Sequence, residues 1–228
     1  EQRLKEGGVE SRLHIVRSDG GLMSAEAAAQ RPVHTVLSGP AGGVTATAMT
    51  ARRTGINKLL AFDMGGTSTD VSVIIDGNPM ISRSTDVGYF PAKVPTLDVR
   101  SVGAGGGSIA RVDAAGLLQV GPDSAGSTPG PICYGKGGTE PTISDANMLL
   151  GRLNPERLNT GAGGVSLDTI REAFARKLGG PLGLGAPEAA AAVLKIANAK
   201  MADAVRMVSI SLGEDPRDFA LFAFGGAG

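Results

Sequence analysis

The alternation of apolar and polar residues over Leu13–Arg17, followed by Ser18-Asp19-Gly20-Gly21, predicts a strand entering a hairpin turn. Ser24 is placed to cap a short helix over Ala25–Gln30, with Glu26 in its first turn. Val33–Leu37 reads as a short strand. Ser38-Gly39-Pro40-Ala41-Gly42-Gly43 opens a small-residue helix to about Arg53, closed by Gly55. Lys58–Ser82 reads as a meander: a buried strand to Phe62, a turn at Asp63–Asp70, an apolar run Val71–Ile75, then Asp76-Gly77-Asn78. Leu97–Val102 is a further strand, and Ile109–Val112 and Leu117–Val120 form a hairpin. Gly121–Thr139 is a Gly/Pro/Ser-rich loop long enough to suggest a functional role. Ser144 caps a helix to about Leu150, and Asn154–Gly164 is loop. Ser166 begins a helix to Leu178, and Gly179–Ala186 is a flexible link. Pro187 starts a long helix, Glu188–Ser211. Arg217–Phe224 is a last strand before Gly225-Gly226-Ala227-Gly228. Buried-strand runs broken by glycine turns, with long helices late in the chain, predict an α/β fold. A five-stranded mixed sheet is expected, built around Lys58–Ser82 and Arg217–Phe224 and flanked by helices.

Composition narrows the function classes. Twenty-two basic and 22 acidic residues cancel among 228, so no net field recruits nucleic acid or an anionic membrane. With no Trp, 2 Tyr and 6 Phe, a base-stacking single-strand binder is disfavoured. One cysteine, Cys133, excludes an intrachain disulfide, and His14 and His34 lie too far apart for an HExxH site. No apolar run reaches membrane-spanning length, and the reading is a cytoplasmic protein. Glycine is the excess, 35 residues clustered at a few turns. The glycine turn that follows the last strand, and the abrupt start, suggest a segment of a longer chain.

The strongest candidate site is Asp63 to Asp70. A strand delivers Asp63 at its end, Gly65 and Gly66 allow a tight turn, Thr67 and Ser68 add hydroxyls, and Asp70 adds a second carboxylate. Successive N–H groups on such a turn cradle phosphate oxygens, and a carboxylate beside them suits a hydrated Mg²⁺. A plain hairpin turn is the competing reading. Ser38–Gly43 fits either helix packing or a phosphate-facing N-terminus, and Gly225 and Gly226 fit either an ordinary turn or a surface for adenosine. The P-loop signature is absent. Gly105-Gly106-Gly107-Ser108-Ile109-Ala110 matches GxGxxG/A, but a strand rather than a helix is expected after it, so it is not a dinucleotide fingerprint. Asp145 and Asn147 are either pocket-facing or capping residues. Cys133 has no histidine near it in sequence and reads as a packed thiol.

Phe62-Asp63-Met64-Gly65-Gly66-Thr67-Ser68-Thr69-Asp70-Val71 resembles the phosphate motif of the hydantoinase A / 5-oxoprolinase family. Ser38–Gly43 precedes it as in that family. Gly103–Ala110, Gly121–Gly126, Pro129–Gly135, Thr142–Asn147, Leu149–Leu153 and Phe224–Gly228 follow in the same order. The resemblance implies an actin-like (ribonuclease H-like) ATPase lobe, with a mixed sheet flanked by helices. On it, Asp63–Asp70 is similar to the second phosphate loop, Ser38–Arg53 to the first connecting helix and Gly225–Gly228 to the start of the adenosine motif. Residues 1–228 then correspond to the central hydantoinase A segment, without the N-terminal phosphate loop and the C-terminal remainder. Arg100 stands where many members carry His, and Thr128 where some do, which favours a Mg²⁺–nucleotide role over a transition-metal site.

The implied activity is ATP-dependent ring opening of a cyclic amide, a hydantoin or 5-oxoproline, by phosphorylation of its carbonyl. Asp63 would orient Mg²⁺ or the attacking oxygen. Gly65, Gly66, Thr67, Ser68 and Asp70 would hold phosphate, and Gly225 and Gly226 the nucleoside. The alternatives are a subunit of an ATP-dependent ketone carboxylase, or a nucleotide-binding or assembly module without turnover; a sugar-kinase-like alcohol kinase is a weaker reading. A hydantoinase B-type subunit or domain is the implied partner, and self-association is left open.

Overall fold

The computed structural model describes residues 2–87, 90–155 and 165–227. The expected five-stranded sheet is present: Arg100–Val102, Thr69–Ile75, Lys58–Met64 and Ala220–Phe224 lie in that order, with Asn78–Pro79 paired to Thr69–Ile75. The last pairing is antiparallel, Ile75 opposite Asn78 and Ile74 opposite Pro79. Its two-residue loop places Asp76 at φ 52° and Gly77 at φ 71°, the two positive values a tight hairpin needs. The α/β expectation holds.

The chain forms two compact units: residues 1–61, 71–100 and 212–222 make one, and residues 62–70, 101–211 and 223–228 the other. In the first, the hairpin His14–Val16 and Leu22–Ser24 leads into the helix Ala25–Gln30. Ser24 Oγ accepts the Ala27 N–H at 3.2 Å as its cap. Val33–Leu37 is not a strand. Pro32 begins a 3₁₀ turn over Pro32–Thr35, and Thr35 Oγ1 donates to the Pro32 carbonyl at 2.7 Å. A proline-fixed φ favours a helical turn, and this outweighs the β-branched residues of so short a run. The helix Ser38–Thr54 buries Ala41, Val44, Ala48 and Ala51, a stripe at helical spacing, and ends at left-handed Gly55. The predicted strand Leu97–Val102 is divided. Thr96–Leu97 pairs with Ile81–Ser82, while Arg100–Val102 joins the main sheet.

The second unit holds the larger core. Ile170, Phe174, Leu178, Ala189, Ala190, Val193 and Ala197 are buried with Met64, Val120, Ile132, Ile143 and Ala146. The predicted hairpin is Ser108–Val112 against Leu118–Ser124, so the GxGxxG-like run does lead into a strand. This strand and a 3₁₀ turn at Ile132–Tyr134 shorten the predicted 121–139 loop. The late helix is continuous over Ala186–Ile210. It packs chiefly on the helices Ile143–Leu149 and Leu167–Phe174 and on the Leu118–Ser124 strand rather than on the five-stranded sheet. Ser166 caps the helix Leu167–Phe174, which continues through a π-turn, Ala175–Gly179, into Gly180–Leu182, so 179–182 is helical rather than a free link. The helix before it is capped by Thr142, not Ser144. Thr142 Oγ1 accepts the Asp145 N–H, and the Asp145 carboxylate accepts the Thr142 N–H at 3.0 Å. A Thr-x-x-Asp box satisfies two orphan donors, whereas Ser144 already lies inside the first turn. Most of the loop expected at 154–164 lies outside the described residues.

Candidate phosphate-binding site

The turn between the Lys58–Met64 and Thr69–Ile75 strands is closed by the Gly65 N–H donating to the Ser68 carbonyl at 2.9 Å. Three successive carbonyls leading into it are each held from outside. Ala227 N–H donates to Met64 O at 2.9 Å, Gly106 N–H to Gly65 O at 3.0 Å, and Gly107 N–H to Gly66 O at 2.6 Å. In a trans peptide the next N–H points opposite the carbonyl. Holding the Gly65 and Gly66 carbonyls therefore turns the Gly66 and Thr67 N–H groups away from the 103–108 loop. Among the described residues, the N–H groups of Gly66, Thr67 and Ser68 donate to nothing. Gly66 and Thr67 are exposed. The Gly66 and Thr67 N–H groups thus face outward unspent, an arrangement that favours an anion, while the Ser68 N lies against Gly105.

Asp63 stands at the end of the strand entering this turn. Among the described residues no donor reaches its carboxylate. Burial raises its pKa, and the nearby Asp70 charge raises it further. Asp70 itself accepts a hydrogen bond from Ser101 Oγ. A half-sheltered carboxylate without a donor, repelled by a neighbour, gains from a cation. Among the described residues no group of three or more His, Cys, Asp or Glu converges on a metal position. The donor set therefore fits a hydrated ion held by Asp63 rather than an all-protein cage.

The two segments singled out as phosphate and nucleoside motifs meet. Gly225 has φ 101°, and a Cβ there would collide with Asp63 Oδ1 and the Met64 carbonyl. Only glycine lets the 225–227 turn lie against the strand end while Ala227 reaches Met64. Gly226 has open space on its side-chain side. Thus Asp63, Gly65, Gly66, Thr67, Ser68, Asp70, Gly225 and Gly226 form one cluster. The sequence reading missed the part played by Gly106 and Gly107, which hold the turn from behind. Their signal in the sequence is the Gly105-Gly106-Gly107 run itself, which leads into a strand and so is not a dinucleotide motif.

Cys133 lies outside this cluster. It is buried on the Ile132–Tyr134 turn, and its N–H donates to Asp145 at 2.7 Å. Burial first, and then the Asp145 carboxylate, push the thiol far above its ordinary range, opposite to what a nucleophile needs. Its expected reaction with iodoacetamide at pH 8 is at least about a hundredfold slower in the folded protein than in denaturant. Mass-spectrometric alkylation kinetics check this, and equal rates would show an accessible thiolate. Asp145 likewise caps and clamps and does not face a pocket.

The model of the hydantoinase/oxoprolinase family matches residues 1–228. The chain belongs to that family. It is 41% identical over 224 residues to the caprolactamase alpha subunit of Pseudomonas jessenii, covering 98% of this chain and 32% of that one. It is 38% identical to the 5-oxoprolinase of Saccharomyces cerevisiae, covering 96% of this chain and 18% of the yeast protein. Among solved structures, acetone carboxylase in a nucleotide-free state superposes with a TM-score of 0.89 at 32% identity, covering 99% of this chain and 32% of that one. This member of the family thus spans about a third or less of the length of these relatives. No described helix is long and apolar enough to cross a membrane.

Proposed function

We propose that the protein containing this chain uses ATP to open a cyclic amide, a hydantoin or a 5-oxoproline-type lactam. The observation that carries the reading is the pair of unspent, outward-facing Gly66 and Thr67 N–H groups beside the unpartnered Asp63 carboxylate. Gly65, with its N–H spent within the turn, shapes the loop, and Gly66, Thr67 and Ser68 hold β/γ-phosphate oxygens. Asp70 raises the cation affinity of Asp63, and Gly225 and Gly226 provide a flat surface for the nucleoside. Mg²⁺ would be held by Asp63 through water and would neutralise the phosphate charge. Amide resonance makes the ring carbonyl a poor electrophile. Transfer of the γ-phosphoryl group to the amide oxygen releases ADP and leaves a carbon that water attacks. The ring C–N bond then breaks, nitrogen takes a proton, and a second water releases phosphate. This route needs no protein nucleophile, in keeping with the buried Cys133.

A hydantoinase B-type subunit or domain completes the enzyme in this reading, and the assembly works in the cytoplasm. The relatives named as an ATP-dependent caprolactamase and a 5-oxoprolinase support the cyclic-amide reading. The second reading, ATP-dependent ketone carboxylation, is supported by the likeness to acetone carboxylase, whose solved structure is described as carrying out that reaction. The deciding experiment follows ADP release by the full-length protein and its partner subunit. Hydantoin, 5-oxoproline, caprolactam, and acetone with bicarbonate are the substrates. ADP release coupled to ring opening is expected. Coupling to acetone with bicarbonate alone would select the carboxylase reading, and no coupling to any of the four would defeat both.

A further inference from the structure

Behind the glycine turn lies a continuous set of hydrogen bonds that phosphate binding as such does not require. Asp145 is fully buried, and four donors converge on its carboxylate. They are Ile132 N–H at 3.2 Å, Cys133 N–H at 2.7 Å, Thr142 N–H at 3.0 Å and Thr142 Oγ1 at 2.8 Å. A capping box accounts for the Thr142 contacts alone. The other two tie the Pro129–Gly135 segment to the start of the Ile143–Leu149 helix. From that helix start the Ser144 N–H, one of the donors a helix leaves unpaired, reaches the Gly106 carbonyl at 2.8 Å. Gly106 and Gly107 in turn hold the Gly65 and Gly66 carbonyls. On the far side, Ala125 N–H donates to Gly107 O at 2.9 Å. A Cβ on Gly106 would lie 2.7 Å from Ser144 Oγ and 3.0 Å from the Ala227 Cβ, so the contact between loop and helix leaves no slack.

We propose that Asp145 is a positioning residue for the phosphate turn, acting through Ser144 and Gly106 to aim the Gly66 and Thr67 N–H groups. The inference rests on the nucleotide reading above and assigns a role to the Pro129–Gly135 and Thr142–Asn147 blocks, which that reading leaves without one. Each peptide link in the series is planar, so a shift at the helix start is passed to the turn as a rotation of the 65–66 and 66–67 peptide planes. Anion cradles of this kind depend on donor direction, and small misplacement of a binding group is costly.

The test uses the full-length protein with its partner subunit and compares Asp145→Asn, Gly106→Ala, the double variant Gly106→Ala/Ser144→Ala, and the core variant Ile170→Val as a stability control. Asp145→Asn turns an NH₂ group toward a site that holds only donors. Gly106→Ala drives the loop off Ser144 without touching the Asp145 core, and decides the matter should Asp145→Asn fail to fold. The readouts are the dissociation constant for the fluorescent nucleotide mant-ATP with Mg²⁺, and hydrogen exchange in peptides covering 64–69 and 103–108. Asp145→Asn and Gly106→Ala are expected to weaken mant-ATP at least about tenfold and to speed exchange in 103–108. Removing the Ser144 hydroxyl from the Gly106→Ala variant should restore part of the affinity, and Ile170→Val should stay within about twofold of wild type. Wild-type affinity and unchanged exchange in both single variants would overturn the relay. If the wild type itself fails to bind mant-ATP, the nucleotide reading falls. Exchange in 103–108 then decides the relay alone, faster exchange supporting it and unchanged exchange refuting it.

Discussion

Asp63→Ala is expected to abolish ATP turnover by the full-length enzyme while leaving its fold intact. The carboxylate stands beside the unspent donors of the Gly65–Ser68 turn and is itself without a donor among the described residues. Its removal leaves no buried group unpaired, and it relieves the repulsion with Asp70 that helps raise its pKa. Melting temperature and circular dichroism should therefore match wild type closely. If Asp63 places the cation on the phosphates, turnover should fall at least about a thousandfold, a barrier change of roughly 4 kcal/mol. Steady-state ADP release with saturating Mg²⁺ measures it, and activity within twofold of wild type would remove Asp63 from the mechanism. The raised pKa also sets a sign for pH. A proton competes with the cation at a higher pH than for an ordinary aspartate, so ATP turnover should decline on acidification before the fold is lost.

Gly225→Ala is expected to eliminate nucleotide binding and to destabilise the protein as well. Two costs act together. At φ 101° an L side chain is strained, which carries about 1–3 kcal/mol. The added methyl would also meet Asp63 Oδ1 and the Met64 carbonyl, and the carbonyl is backbone at a strand end that cannot turn aside. The turn must then move off the strand, breaking the Ala227 N–H to Met64 O hydrogen bond. Calorimetric titration of ATP and thermal melting of the full-length protein provide the measurements. By contrast Gly226→Ala, where the added methyl meets open space, should keep the melting temperature. Equal behaviour of the two variants would show that close approach at Gly225 is not what matters.

Cys133→Ser should retain at least about a tenth of wild-type kcat, a barrier change under roughly 1.4 kcal/mol. The thiol is buried, its pKa is raised, and the Cys133 N–H bond to Asp145 remains when serine, itself a donor, replaces the thiol. A thousandfold loss without a change in melting temperature would move the enzyme toward cysteine-based amide hydrolysis.

The sequence by itself determined the local elements and the candidate turn. Apolar runs ending in glycines placed the Lys58–Met64 strand and the last strand, which begins at Ala220 rather than Arg217 because Pro216–Asp218 forms a proline-led 3₁₀ turn capped by Asp215. Small residues at helical spacing placed Ser38–Thr54, and Pro187 marked the start of the long helix. Each depends on periodicity and on turn chemistry within a few residues, which a single chain displays directly. The same locality made Asp63, Gly65 and Gly66 legible as a candidate site. The misses share the opposite cause. Whether Leu97–Val102 stays one strand depends on which partners its two halves find, Ile81–Ser82 for one and Thr69–Ile75 for the other. Whether Val33–Leu37 pairs at all was decided by the proline-fixed turn at Pro32. Only the tertiary structure brought Gly225 against Asp63, set Gly106 and Gly107 behind the turn some 40 residues away in sequence, and gathered four donors around Asp145. Those contacts are non-local hydrogen bonds and close approaches of backbone to backbone. They depend on where chain segments meet, and residue type at one position carries no record of its distant partner.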